Sequence, residues 1–174
     1  DSAQSGTTVE NEAESKSATK SELNRKRHIV LLAMNQTGLN NIFKLVSQSY
    51  HGDNFYRKPR IDFDLLKEHN EGIIALSACL GGIYAGCYWE NREEGSEAVL
   101  DCMRIMTNKM VDIFGDRWYG ELQWNAIPEQ HELNNYVIQM HKEFGIPLVS
   151  TCDSHYPSPD AWNDRELYKK IGWL

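Results

Sequence analysis

The sequence has no Cys-x-x-Cys pair among its four cysteines, Cys79, Cys87, Cys102 and Cys152. Zinc-finger and thioredoxin-like readings are therefore poor. Nothing implies a disulfide framework either, and four free thiols in a reducing, cytoplasmic compartment are expected. No run of about 18 apolar residues occurs, so no membrane span is expected. The N-terminus lacks the apolar core of a secretory signal. It also lacks an initiator Met, which fits a processed chain or an excerpt. Excess positive charge is missing too. At a formal net charge of −7 the overall field does not attract nucleic acid, and contact with DNA would need a local basic patch or bound cations. What is present is 174 residues with 41% hydrophobic content. That suffices for a sizeable core in one domain or in part of a larger one.

Residues 1–27 hold only two larger aliphatic residues, Val9 and Leu23. Such a segment cannot bury enough surface to offset its ordering entropy, and it reads as a flexible arm or inserted loop. From residue 28 the pattern changes. His28-Ile29-Val30-Leu31-Leu32-Ala33-Met34 is a near-continuous apolar run, which predicts a strand covered on both faces, as in parallel sheets. Leu39, Ile42, Phe43 and Val46 follow at the spacing of an amphipathic helix. A polar loop over 51–61 carries Tyr56-Arg57-Lys58-Pro59-Arg60, and Asp62 is a plausible N-cap for a short helix that Gly72 would end.

Ile73 to Ser77 predicts a second buried strand, running into the small-residue turn Ala78-Cys79-Leu80-Gly81-Gly82. A helical turn around Tyr84 to Trp89 precedes a long helix with Val99, Cys102, Met103, Met106, Met110, Ile113 and Phe114 on its buried stripe; the methionines read as core filling. Trp118 to Gln123 alternates as a strand, with Glu121 and Gln123 on one side, either as polar lining or as groups behind a site. A helix from Pro128 buries Leu133, Tyr136, Val137, Met140 and Phe144 and ends at Gly145. A last strand spans Leu148 to Thr151, and Ser158-Pro159 opens a final helix.

Four strand–helix repeats imply an α/β fold with a parallel sheet or barrel and outer helices. Chemistry in such folds collects at the C-terminal ends of the strands. Cys79 falls just past one strand end, and Asp153-Ser154-His155 just past another. If the last strand continued, alternation would aim Asp153 and His155 to the same side, as a metal-ligand or acid/base pair. Two polar residues in a loop remain the plainer alternative.

Several blocks in order resemble one family. They are His28 to Asn35 with Gly38 to Ser47, Lys58-Pro59-Arg60-Ile61-Asp62, Glu71 to Gly82, Gly120-Glu121-Leu122-Gln123 with Ile127-Pro128-Glu129-Gln130, and Asp153-Ser154-His155-Tyr156. Together they resemble the PHP (polymerase and histidinol phosphatase) domain of the bacterial and phage DNA polymerase III alpha subunit, a C-family replicative polymerase. The resemblance implies a distorted (β/α)7 barrel whose rim holds up to three metal ions, with residues 28–174 forming part of that domain. It implies His28, Cys79, Asp153 and His155 as metal positions, with Asp153 and His155 also in the catalytic set. By its residues alone His28 would read as a capping or surface histidine.

The sequence also departs from that family. An upstream His-x-His pair, an Asp, a His and a Glu of the family's ligand set have no counterpart here. Cys152 stands where an Asn is common, and the polymerase carboxylates that bind Mg²⁺ are outside this chain. The implied function is a segment of a DNA-directed DNA polymerase contributing a zinc- or manganese-binding PHP domain with 3′–5′ exonuclease or phosphoesterase chemistry. The alternatives are a non-catalytic scaffold that stabilises the polymerase or docks a proofreading subunit, and a stand-alone PHP phosphatase. The implied partners are DNA, the remainder of the alpha subunit and other replisome subunits; Lys58 and Arg60 are the candidate DNA contacts, with a merely solvated loop as the alternative.

Overall fold

The computed structural model describes residues 26–56 and 58–172. Most of the arm expected over 1–27, Arg57 of the basic loop, and Trp173 and Leu174 lie outside the described residues.

Strand β1 (Val30–Ala33) leads into helix α1 (Gln36–Ser49). The two-residue strands β2 (Phe55–Tyr56) and β3 (Lys58–Pro59) pair with each other inside the segment expected to be loop, and α2 (Phe63–Glu68) follows. Then come β4 (Ile73–Leu76), α3 (Ile83–Asn91), α4 (Ser96–Phe114), β5 (Trp118–Gln123), α5 (Pro128–Phe144), β6 (Leu148–Thr151) and α6 (Trp162–Gly172). The main sheet has the order β1-β4-β5-β6. Strands β4, β5 and β6 run parallel, joined by helical crossovers, as the strand–helix alternation predicts. Among the described residues the sheet is open at β1 and β6 and no barrel closes.

Local signals explain the boundaries. The Asp62 carboxylate accepts the Leu65 N–H at 2.9 Å and caps α2. Gly145, with φ of 68°, ends α5 in the left-handed conformation that glycine adopts at least cost. Helix α2 stops at Glu68 instead of reaching Gly72, whose φ of 71° serves the turn into β4. The core lies between the sheet and α3, α4 and α5, around Tyr84, Val99, Met103, Met110, Phe114, Trp118, Val137 and Met140. Its polar atoms form a chain: Trp118 Nε1 donates to Tyr84 Oη at 2.9 Å, and Tyr84 Oη and Thr107 Oγ1 lie 2.7 Å apart. Burial pushes the Tyr84 phenol above its ordinary pKa, so the hydroxyl stays neutral.

Three expectations are corrected. First, β1 is not covered on both faces. It is an edge strand running antiparallel to β4, with Val30 opposite Leu76 and Ala33 opposite Ile73, and Leu32 is 49% exposed. An apolar run carries no signal of strand direction. Second, most of the α1 stripe faces outward: Phe43 is 59% and Val46 53% exposed, Ile42 alone of the stripe packs against the core, and Gly38, Asn41, Leu45 and Ser49 are buried. Close backbone packing decides this. A Cβ on Gly38 would stand 1.8 Å from the Gly72 carbonyl oxygen. The helix is also held on that side by Asn41 Nδ2, which donates to Glu71 O at 3.0 Å. Third, only Cys79 and Cys152 are free thiols. Cys87 on α3 and Cys102 on α4 form a disulfide, because the two consecutive helices bring their Cα atoms to 5.5 Å.

Candidate functional site

The reversed direction of β1 builds the site. Because β1 runs antiparallel to β4, its beginning lies beside the end of β4, where Cys79 emerges. His28 forms an isolated bridge with Gly82, and its N–H donates to Gly81 O at 2.8 Å. His28 Nδ1 thereby comes within 3.7 Å of Cys79 Sγ. Gly81 permits this approach, since a Cβ there would lie 3.0 Å from the same Nδ1. A histidine that opens its strand thus reaches a rim formed by strand ends.

Asp153 reaches the same place from β6. A cleft of about 270 Å³ is lined by His28, Ile29, Val30, Ala78, Cys79, Glu121, Gln123 and Asp153. Strand alternation does not put Asp153 there. Strand β6 ends at Thr151, and Asp153 sits in a turn with φ of 47°, so the expected common direction of Asp153 and His155 is not realised through a strand. His155 is exposed and does not line the cleft. Its Nδ1–H donates to the Asp153 carbonyl at 2.6 Å, a tautomer that leaves Nε2 as the ring's acceptor.

Beneath the cleft, Glu121 is 5% exposed and ties three strand ends together. Its Oε2 accepts the Ala78 N–H at 3.1 Å, at the residue before Cys79. Ala78 has φ of 62°, a conformation that a residue with a Cβ adopts only when its surroundings hold it there. Glu121 Oε1 accepts from Thr151 Oγ1 at 2.6 Å, at the end of β6, and from Gln123 Nε2 at 3.1 Å. The Glu121 N–H donates to Ser77 Oγ at 2.9 Å. One buried carboxylate therefore fixes the exits that carry Cys79 and Asp153. Alternation along β5 placed Glu121 and Gln123 on the correct side, but not which bonds they make.

Lys58 and Arg60 lie elsewhere, on a larger open groove of about 1290 Å³ that His28 and Ile29 also border. Its lining mixes Lys26, Arg27, Lys58 and Arg60 with Asp53, Asp62 and Glu90, and Arg27 pairs with Glu90. The local surface is of mixed charge.

The donor set at the cleft fits part of a metal site. Imidazole and thiolate bound to one tetrahedral zinc at about 2.0 and 2.3 Å would stand about 3.5 Å apart, close to the 3.7 Å between His28 Nδ1 and Cys79 Sγ. Among the described residues, no three His, Cys, Asp or Glu side chains gather closely enough to hold an ion unaided.

The fold is thus a mixed α/β domain with a polar rim at the ends of parallel strands. The chain belongs to the PHP domain family, which it matches over residues 5–125. It is 41% identical over 133 residues to DNA polymerase III subunit alpha of Aquifex aeolicus, covering 76% of this chain and 11% of that protein. It is 37% identical over 148 residues to the same subunit of Thermus aquaticus, covering 80% of this chain and 12% of the relative. The subunit of Borreliella burgdorferi is 37% identical over 145 residues, covering 83% of this chain and 12% of the relative. The chain therefore spans roughly a tenth of the length of these curated relatives. No helix among the described residues is long and apolar enough to cross a membrane.

Proposed function

We propose that this chain is the PHP segment of a replicative DNA polymerase and supplies part of a metal-dependent phosphoesterase centre acting on DNA 3′ ends. The observation that supports this reading is the meeting of His28, Cys79 and Asp153 around one cleft from three separate strand ends. His28 and Cys79 would hold a zinc or manganese ion, and the thiolate favours zinc. A divalent ion in such a site lowers the pKa of bound water and neutralises phosphate charge. The chain's own residues hold the geometry: Gly81 admits the His28 ring, Glu121 locks the turn before Cys79, and Asp153, at a φ of 47°, lines the cleft. His155, with its Nδ1–H committed to Asp153 O, keeps the Nε2 lone pair at the outer edge for a second ion. The remaining ligands would come from elsewhere in the longer protein, as would the polymerase site, its Mg²⁺ and the replisome contacts.

A non-catalytic support role for the rest of the polymerase is a second reading. It is favoured by the distance between the ligand-type residues: among those described, no three stand close enough to hold an ion unaided. The test is metal content and 3′–5′ exonuclease rate of the full-length protein bearing Asp153→Ala or Cys79→Ala. Loss of both supports the metal centre. Normal metal content and rate in both variants would leave the support role standing.

A further inference from the structure

Gln123 is 3% exposed, and the two ends of its side-chain amide are unequally served. Nε2 donates to Glu121 Oε1 at 3.1 Å, whereas Oε1 is buried and has no hydrogen-bond partner among the described residues. The amide cannot simply be turned round, because a carboxylate only accepts and two facing oxygens would repel. Glu121 itself is pinned by Ala78 and Thr151, so the direction of the amide is set by bonded neighbours. Buried acceptors are almost always satisfied, and an exception asks for a missing donor. Among the described residues His69 Nε2 and Gln130 Oε1 lack a hydrogen-bond partner as well, yet neither residue lines the cleft, whereas Gln123 does.

The chemistry around the cleft narrows the class of donor. His28, Cys79, Glu121 and Asp153 share its lining, and none offers a fixed positive charge. A cation is favoured there, and about 270 Å³ holds an ion with several waters. We propose that Gln123 is a further binding residue of this cleft: its buried Oε1, oriented by Glu121, accepts a hydrogen bond from a water carried by a divalent cation seated at His28 and Cys79. The inference rests on the metal-centre reading given above. An amide oxygen accepts the hydrogen bond without removing the proton, so Gln123 orients the water and leaves its ionisation to the ion. Glu121 is the positioning residue behind it.

The test is zinc affinity, measured by competition with a chromophoric chelator on the full-length protein, alongside its metal-free melting temperature. Gln123→Met keeps the length and bulk of the side chain and removes the acceptor. It should weaken zinc binding about tenfold, the lower end of the losses seen when partners behind a metal site are removed, while the metal-free melting temperature stays within about 2 °C of wild type. Gln123→Ala serves if the methionine variant does not fold, and the same loss is expected. Unchanged zinc affinity in a folded variant overturns the inference alone. If the wild-type protein itself takes up no zinc, the metal-centre reading falls and the inference falls with it.

Discussion

His28 Nδ1 and Cys79 Sγ lie 3.7 Å apart across 51 residues of chain, joined by the antiparallel pairing of β1 with β4. Two donors at this separation can share one ion, but they cannot enclose it. The isolated chain should therefore bind zinc weakly, at less than one equivalent at micromolar protein, and Cys79→Ser should abolish what binding there is. Equilibrium dialysis checks this. Tight uptake of two or more zinc ions by the isolated chain would contradict the incomplete site described here.

The contact between Gly38 and Gly72 fixes α1 against the turn into β4. A methyl group at residue 38 would meet the Gly72 carbonyl at 1.8 Å, and backbone on both sides leaves no flexible side chain to yield. Gly38→Ala should cost about 1–3 kcal/mol, the usual range for overpacking. A urea melt of the chain reads it directly, and an unchanged midpoint would show that α1 shifts freely.

The same contact shows why part of the fold was illegible from sequence. The spacing of Leu39, Ile42, Phe43 and Val46 correctly predicted a helix but misplaced the centre of its buried face, where only Ile42 of the four meets the core, since periodicity counts apolar side chains and not close backbone contacts. Strand β5 was legible residue for residue because Trp118 to Gln123 alternates between turn signals at both ends. The direction of β1 was not, and with it went the reason His28 can be a rim residue. Resemblance picked out His28 where spacing did not. Asp153 was found by strand logic that fails beyond Thr151, and it reaches the cleft through a left-handed turn. The bonds of Glu121 and Gln123 join residues from three strands, which no local pattern encodes.

The Cys87–Cys102 disulfide closes a loop with a sequence separation of 15. Loop-closure entropy assigns about 3 kcal/mol to a cross-link of this size. Reduction, or Cys87→Ser, should lower the unfolding free energy by about that amount, and the two should not add. Denaturant melts with and without a reducing phosphine measure both. Equal stability in the two conditions would mean the helices hold one another without the bond.

Arg104 on α4 reaches Glu143 on α5 with Nε donating to Oε2 at 2.9 Å, and also bonds Glu97 and Asp101. The guanidinium holds the Glu143 carboxyl below its ordinary pKa. A carboxylate with a folded-state pKa below its unfolded value stabilises the fold above the unfolded value, about 4.3. That contribution fades as pH falls through the folded-state value. Glu143→Gln should therefore cost more stability at pH 6 than at pH 3 and narrow the difference between them. The effect should shrink in 0.5 M salt because the pair is exposed. Thermal melts across that range check the sign, and a larger difference in the variant would reverse it.

The outward face of α1 carries the last expectation. Phe43 and Val46 are more than half exposed, Leu39 and Tyr50 lie on the same helix or at its end, and the neighbouring edge strand β1 exposes Leu32. Exposed apolar side chains beside a strand edge that is unpaired among the described residues favour self-association. The isolated chain should form concentration-dependent oligomers by sedimentation velocity. Phe43→Lys should shift it toward monomer while leaving its melting temperature within about 2 °C, because the side chain lost makes little of the core. Leu45→Ala, on the buried side of the same helix, should instead lower stability by about 2–5 kcal/mol and leave association unchanged in the folded fraction. The opposite assignment of effects would mean that the sequence stripe faces inward after all.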